Sequence, residues 1–193
     1  GLPPDGAPTY ETWLVKRRTE SSKGRSWATT LWVAAVAGPW AILGSIWGSG
    51  EGASSLLALT LFGPVVEEIM KTSAAYWVVE RRPYLFRSRF QIAICVLGAG
   101  LAFAAIENLI YLKVYIPDPP PGLVSWRWTV CTALHAGCAL VGGLGLMRAW
   151  GETMDRLTRP RLSLAAPYLV AAAAIHGAYN AGAILLGRSS FQF

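Results

Sequence analysis

The stretch Gly63-Pro-Val-Val-Glu-Glu-Ile-Met-Lys71 places two adjacent carboxylates and a lysine inside an apolar run, Ala53–Val79. A charged side chain at the centre of a bilayer costs about 2.5 kcal/mol or more and is rarely left unpaired. Lys71 lies one helical turn from both Glu67 and Glu68 and can pair with either. The proline of the stretch cannot donate a main-chain hydrogen bond, which predicts a kink just before the carboxylates. The stretch therefore indicates either a structural ion pair between helices or a functional site within the membrane.

The composition predicts a membrane protein. The chain is 53% hydrophobic and only 15% charged, which is too apolar for an ordinary soluble domain. About five runs contain the ~20 apolar residues that a helix needs to cross a bilayer. They are Trp27–Trp47, Ala53–Val79, Phe90–Ile116, Val124–Trp150 and Leu162–Leu186. We predict an all-α fold, a polytopic bundle of about five transmembrane helices over residues 27–193, preceded at residues 1–26 by a cytoplasmic tail or an interfacial helix.

The basic residues follow a membrane topology and do not form a nucleic-acid-binding patch. The net charge is +6, and most Lys and Arg residues fall on one side of the predicted spans, at residues 16–25, 81–89 and 148–161. The opposite side has few cations: Lys113, Arg127 and Arg188. This is the positive-inside pattern, which predicts a cytoplasmic N-terminus and an external C-terminus. We expect an integral membrane protein whose surroundings are the lipid bilayer, with no nucleic acid partner.

The cysteines do not indicate a disulfide framework. Cys95, Cys131 and Cys138 all lie inside apolar runs, and the chain has no CxxC pair. We interpret them as small buried apolar side chains.

Further polar side chains lie inside the other predicted spans. Glu107 and Asn108 lie in the third span, His135 in the fourth, and His176 and Asn180 in the fifth. His176 and Asn180 are at positions i and i+4 and share one helical face. A structural hydrogen bond between membrane helices contributes about 0.6–2 kcal/mol, and an amide supplies it at lower cost than a carboxylate. Glu107 therefore favours a functional role.

The helical rise of ~1.5 Å per residue places these polar groups at a common depth. They lie about 9 to 14 residues from the outer ends of helices that run in alternating directions, within ~8 Å of one another along the membrane normal. One polar cavity is the simplest explanation. Its predicted members are Glu67, Glu68, Lys71, Glu107, His135, His176 and Asn180.

Three classes of function fit such a cavity. Carboxylates and imidazoles support general acid–base catalysis, and imidazole and amide N–H groups stabilise an oxyanion, which together favour peptide-bond hydrolysis by an activated water. Two histidines and a glutamate also form the ligand set of zinc hydrolases, although HExxH is absent. Proton-coupled transporters use Glu and His relays as well, but about five spans without an evident inverted repeat are few for that class.

The polar motifs resemble those of a known protease family. Glu67-Glu68-Ile-Met-Lys71 matches the EExxK element of the PrsW family of intramembrane proteases, and Phe103-Ala-Ala-Ile-Glu107-Asn108 matches its FAxxEN element. His135 and His176-Gly-Ala-Tyr-Asn180 fall where that family has its later His motifs. The resemblance covers about Gly63–Ala183. The family is similar to the CAAX-type prenyl-protein endopeptidases and the bacteriocin-processing enzymes, which share a glutamate-centred site in a helical bundle.

The resemblance implies a glutamic-type protease in a bacterial or archaeal cell membrane that cleaves membrane-anchored proteins, for example a single-pass anti-sigma factor. Together with the common depth, it predicts that Glu67 is the base for water, that Glu68 is its partner and that Glu107 transfers protons or shapes the site. The remaining roles go to hydrogen-bonding groups: His135, His176 and Asn180 orient the water or bind the oxyanion, and Lys71 and Asn108 support them. We expect catalysis without a metal cofactor, with a zinc-dependent protease and a proton-coupled transporter as the alternatives.

Overall fold

The computed structural model of the chain describes residues 9–49 and 56–185, and every regular element in these ranges is helical. The all-α membrane-bundle prediction is therefore confirmed. The α-helices are α1 (Tyr10–Glu20), α2 (Lys23–Ser49), α3 (Gly63–Arg81), α4 (Arg89–Ile110), α5 (Pro121–Trp126), α6 (Thr132–Arg156) and α7 (Ala166–Leu185). Residues 53–55 and 186, at the ends of two predicted spans, lie outside the described ranges.

Four segments of the described chain are long and apolar enough to cross a membrane: Lys23–Ser45, Arg89–Tyr115, Pro121–Arg156 and Leu162–Leu185. The remaining predicted span, Ala53–Val79, corresponds to α3, which is not among these four because Glu67, Glu68 and Lys71 make it more polar. The helices follow one another around the bundle in the order α2, α4, α6, α7 and α3, and α3 contacts all four of the others. The charged helix thus packs directly against all of the apolar ones.

Large apolar side chains cover the outward surface of the bundle. Leu31, Trp32, Leu101 and Val170 are all about half exposed or more. Such extensive apolar exposure is unusual for a protein surrounded by water and is expected where lipid covers the surface. The exposed faces and the four apolar helices support an integral membrane protein.

Two glycines allow close helix contacts beside the polar residues. A Cβ on Gly100 of α4 would lie 2.8 Å from the carbonyl oxygen of His135 on α6. A Cβ on Gly177 of α7 would collide with the carbonyl oxygen of Thr60. Small residues at such positions let membrane helices approach at main-chain distance.

In the described part of the chain, three π-helical turns interrupt the regular helices, at Ala58–Phe62, Tyr111–Tyr115 and Arg127–Cys131. The first ends where α3 begins, so that Pro64 is the second residue of α3 and its missing N–H is tolerated there. In place of the predicted kink, the helix has the π-helical turn Ala58–Phe62 just before Pro64. The turns at 111–115 and 127–131 directly follow α4 and precede α6, respectively.

Helix α1 packs on the bundle through its apolar side chains. Leu14 is fully buried, and the Trp13 ring makes an edge contact with Tyr84 at a centroid distance of 5.6 Å. Tyr84 belongs to the 3₁₀ turn Pro83–Leu85, which connects α3 to α4. The division at residue 26 into a tail or interfacial helix and a bundle remains a prediction.

Candidate active site

The lysine of the opening stretch pairs with the second of the two glutamates. Lys71 Nζ lies 2.6 Å from Glu68 Oε1, one turn away on α3, and both side chains are almost completely buried. Of the two partners that the spacing allowed, the structure selects Glu68. The buried ammonium is thereby matched by a carboxylate, as low-dielectric surroundings require.

Glu67 has different neighbours. Its Oε1 accepts a hydrogen bond of 3.3 Å from Ser45 Oγ of α2. Its Oε2 is buried and has no hydrogen-bond partner among the residues that the structure describes. The closest ring nitrogen across from Oε2 is His176 Nε2, at 3.8 Å. One oxygen of Glu67 is therefore held while the other is left available.

His176 of α7 lies between the two glutamates. Its Nδ1 is 2.8 Å from Glu68 Oε1, and its Nε2 faces Glu67 Oε2. An ionised carboxylate can only accept hydrogen bonds, so the contact with Glu68 places the ring proton on Nδ1. His176 Nε2 then presents a lone pair toward Glu67.

His135 of α6 connects the pair on α3 to the third carboxylate. Its Nδ1 is 3.1 Å from Lys71 Nζ, and its Nε2 is 3.0 Å from Glu107 Oε2. Because an ammonium group can only donate, Nδ1 accepts and Nε2 carries the proton that it donates to Glu107. The His135 ring also stands perpendicular to that of His176, with the ring centroids 4.9 Å apart.

Arg127 belongs to the cluster although its position in the sequence indicated an outer loop. Its side chain is 6% exposed, and its Nη2 lies 2.7 Å from Glu107 Oε2. Its Nε donates to Asn108 Oδ1 at 3.0 Å, and the guanidinium lies 3.9 Å from the ring centroid of Tyr111. Two signals in the sequence could have indicated this placement: the run Val124–Trp150 already contains Arg127, and Glu107 needs a counter-charge in the membrane.

The two asparagines predicted for the site bind main-chain groups of the π-helical turns. Asn180 Nδ2 donates to the Leu59 carbonyl oxygen at 2.9 Å, and Asn108 Nδ2 donates to the Arg127 carbonyl oxygen at 2.9 Å. In a π-helical turn the carbonyl groups depart from the regular α-helical ladder, and these amides satisfy two of them. Both asparagines thus hold the scaffold next to the charged cluster.

Each π-helical turn lies about one turn of helix from a polar side chain of the cluster. Glu67 follows the turn at 58–62, Glu107 precedes the turn at 111–115, and His135 follows the turn at 127–131. Insertions of this kind in α-helices are frequent at functional sites, because they turn side chains away from the regular helical position. Sequence periodicity gave no sign of them.

The family is shown by comparison with known proteins. A family model described as PrsW family intramembrane metalloprotease matches residues 13–192, nearly the whole chain. The chain belongs to the PrsW family. The resemblance inferred from the motifs is confirmed, and membership of this family supports intramembrane proteolysis. No curated protein and no solved structure matches the chain.

The charges of this PrsW-family site distinguish Glu67 from the other two carboxylates. Glu68 is paired with Lys71, and Glu107 is paired with Arg127. Among the residues that the structure describes, Glu67 has no such lysine or arginine partner. It is therefore the carboxylate that is most available to a proton, a water molecule or a metal ion.

The same arrangement can hold a metal ion. Glu67, His135 and His176 each offer one ligand atom, and these atoms lie within 4.8 Å of one another. Two imidazoles and a carboxylate are a ligand set of catalytic zinc sites. The free Glu67 Oε2 and the Glu68 carboxylate behind His176 Nδ1 fit this set, since a zinc-bound histidine commonly donates its other N–H to a carboxylate.

Proposed function

We propose that the chain is an intramembrane endopeptidase that hydrolyses peptide bonds of membrane-anchored proteins with a water molecule activated at Glu67. Family membership supports the protease class. The observation that carries the assignment is the position of Glu67 Oε2, which is buried, lacks a hydrogen-bond partner among the described residues and faces His176 Nε2 at 3.8 Å. The other two carboxylates of the cluster already have cationic partners.

The activation of water follows from the two acceptors that face each other. A separation of 3.8 Å between Glu67 Oε2 and His176 Nε2 exceeds a direct hydrogen bond and suits a bridging water molecule. Glu68 fixes the His176 ring by accepting a hydrogen bond from its Nδ1–H. His176 Nε2 and Glu67 Oε2, the two groups that face the water, are therefore both acceptors. Glu67 removes one proton as the water oxygen bonds to the carbonyl carbon of the substrate.

The other half of the reaction needs a donor for the developing oxyanion. Lys71 Nζ has three N–H groups and two acceptors among the described residues, Glu68 Oε1 and His135 Nδ1, so one N–H remains to donate, and a donor held in a dry site stabilises negative charge strongly. Glu67 then returns its proton to the amide nitrogen as the carbon–nitrogen bond breaks, which releases an amine and a carboxylic acid. Glu107 keeps the His135 ring in place, and Asn180 and Asn108 keep the adjoining main chain in place.

The location of the site determines the class of substrate. The cluster is enclosed by helices whose outward faces are apolar, so a peptide bond reaches it from a segment that is itself in or beside the membrane. We therefore propose membrane-anchored proteins as substrates, and the family resemblance suggests a single-pass anti-sigma factor. The cell membrane of a bacterium or archaeon, with the N-terminus in the cytoplasm, is the corresponding location.

A purified reconstitution tests this function against the transporter alternative. We expect the protein in proteoliposomes to cut a single-pass reporter into two fragments whose masses sum to that of the reporter plus one water molecule. Vesicles without the protein should leave the reporter intact. A well-folded protein that leaves every single-pass reporter intact, but moves protons across the vesicle membrane, would contradict the proposal and favour a transporter.

A metal-dependent protease is the second candidate, favoured by the converging ligand atoms of Glu67, His135 and His176 and by the description of the family. When bound there, zinc would polarise the substrate carbonyl and acidify a water molecule. The metal-free form is our first choice because both ring nitrogens of His135 already have protein partners, and one of them is the cation Lys71.

Metal analysis distinguishes the two forms of the proposal. We predict that purified protein cleaves the reporter at an unchanged rate in strong chelator and contains less than stoichiometric zinc. One zinc ion per chain, whose removal abolishes cleavage and whose return restores it, would instead establish the metalloprotease. In that case Glu67 acts as a ligand.

A further inference from the structure

Arg127 makes more contacts with the site than a simple counter-ion needs. Its Nη2 binds Glu107 at 2.7 Å and its Nε binds Asn108 at 3.0 Å, so the guanidinium holds two consecutive residues of α4. Its carbonyl oxygen accepts a hydrogen bond from Asn108 Nδ2 at 2.9 Å. Asn108 therefore binds both the side chain and the main chain of Arg127. These contacts hold the C-terminal end of α4 against the π-helical turn that leads into α6.

The surroundings of the guanidinium are built to hold it in one orientation. The side chain is 6% exposed, and its planar group lies over the Tyr111 ring at 3.9 Å. A guanidinium can stack on an aromatic ring and at the same time direct an N–H to a carboxylate, and lysine does not reproduce this combination. The site thus uses the shape of arginine as well as its charge.

The Glu107 oxygen that Arg127 binds is also the oxygen that binds His135. Glu107 Oε2 lies 2.7 Å from Arg127 Nη2 and 3.0 Å from His135 Nε2. Because Arg127 can only donate hydrogen bonds, it keeps this carboxylate in the acceptor form. The proton between Glu107 and His135 consequently stays on His135 Nε2, and Nδ1 stays an acceptor for Lys71.

We propose that Arg127 is a positioning residue of the active site, which through Glu107 fixes the orientation of His135 and the hydrogen bond of its Nε2–H. This inference rests on the proposed function where it concerns the rate of cleavage. The alternative is a tether that only joins α4 to α6. A tether affects folding, whereas a positioning residue also affects the protonated nitrogen of His135 and the turnover of bound substrate.

The first experiment reads the ring nitrogens of His135 without any activity. The chain has only two histidines, so ¹⁵N-histidine labelling gives a simple nitrogen spectrum, in which a His176→Asn variant assigns the signals. We expect Nε2 of His135 to be protonated in the parent protein and in Lys113→Gln, which removes an exposed cation from the neighbouring π-helical turn. Arg127→Gln should shift the His135 Nε2 signal, because Glu107 loses the donor that holds its Oε2, while Lys71 keeps Nδ1 an acceptor. An unchanged His135 spectrum in folded Arg127→Gln would overturn the inference.

The second experiment compares rates of reporter cleavage by folded variants. Arg127→Gln should lower kcat about tenfold or more while KM changes by less than about threefold, because the lost interaction acts on the reacting state. Arg127→Lys should recover part of the loss, and Lys113→Gln should cleave like the parent. Glu107→Gln and the double variant should be equally slow, since the two residues act in one chain. A double variant whose loss in kcat is the product of the two single losses would contradict the positioning role. An Arg127→Gln protein that cleaves at the parental rate would contradict it as well.

The outcomes also separate this inference from the proposed function. If the parent protein cleaves the reporter and Arg127→Gln cleaves it equally well, the proposed protease stands and Arg127 is only a tether. If the parent protein does not cleave, the proposed function fails, and the nitrogen spectrum still decides whether Arg127 fixes His135. Should Arg127→Gln fail to fold, Arg127→Lys is used for both readouts, with partial loss expected and parent-like behaviour contradicting the inference.

Discussion

At the scale of single residues, neighbouring charges decide which carboxylate is free to react. Glu67 and Glu68 are adjacent in sequence, yet α-helical geometry points them at different neighbours. Glu68 contacts Lys71 and His176, whereas Glu67 accepts a hydrogen bond from a hydroxyl group and has no lysine or arginine partner among the described residues. Each of the two carboxylates also has one buried oxygen without a hydrogen-bond partner in the described part of the chain. The sequence predicted that these groups share one cavity, but the i+3 and i+4 spacings left the partner of Lys71 open.

Glu68→Gln is expected to destabilise the protein more than Glu67→Gln. The change at Glu68 leaves the buried Lys71 ammonium without its carboxylate, and removal of one partner of a buried ion pair typically costs about 3–5 kcal/mol. Glu67 has no such partner, so its amide replaces it with little strain. Thermal unfolding in detergent measures the difference. A Glu67→Gln protein that unfolds at the lower temperature would contradict this assignment of partners.

Arg127 shows where reasoning from sequence reached its limit at this scale. A charge count near the end of a span assigns it to the outer loop, because arginine usually favours the membrane boundary. The structure buries it, since Glu107, Asn108 and the Tyr111 ring together compensate the loss of water. Such compensation depends on side chains of another helix, which spacing along one chain does not reveal.

At the scale of helices, the apolar runs predicted the elements well, and the π-helical turns were missed. Hydrophobic length alone identifies a membrane helix. The turn at Ala58–Phe62 instead depends on α7: Asn180 binds the carbonyl oxygen of Leu59, and Gly177 packs on that of Thr60. These contacts join residues more than a hundred positions apart, and a local pattern carries no information about them.

Gly177→Ala tests the contact between α7 and this turn. The added methyl group would collide with the carbonyl oxygen of Thr60, so α7 or the turn at Ala58–Phe62 must shift, which changes the spacing between His176 on α7 and Glu67 on α3. We expect a loss of about 1–3 kcal/mol in stability, as for other overpacked sites, together with slower cleavage. Gly182→Ala on the same helix is the matched control, because its methyl group would have no atom of the described residues within 4 Å. Equal behaviour of the two variants would argue against the close contact.

At the scale of the whole molecule, the sequence predicted a helical bundle with a polar interior, and the structure has that architecture. The prediction succeeded because a membrane protein must bury its few charges together and expose its apolar surface. It was less accurate for the helix that carries most of those charges. Glu67, Glu68 and Lys71 make α3 too polar to qualify as a span by composition, and only its contacts with the other helices place it in the bundle.

Labelling of introduced cysteines tests the orientation of this bundle. The positive-inside pattern predicts that a cysteine at Gly122 reacts with an impermeant reagent from outside, whereas cysteines at Arg87 and Arg159 react only from inside. The native cysteines are free and buried, which keeps the background low. The opposite pattern of labelling would invert the proposed orientation and place the N-terminus outside.

The central claim is that Glu67 activates the water that cleaves the substrate, and a paired comparison on α3 tests it most directly. Glu67→Gln and Glu80→Gln each remove one carboxylate from the same helix, and Glu80 is exposed. Cleavage of the single-pass reporter in proteoliposomes is measured beside thermal stability in detergent. We predict that Glu67→Gln cleaves about 10²–10⁴-fold more slowly with stability near that of the parent, and that Glu80→Gln cleaves like the parent. A stable Glu67→Gln protein that cleaves at the parental rate would contradict the claim.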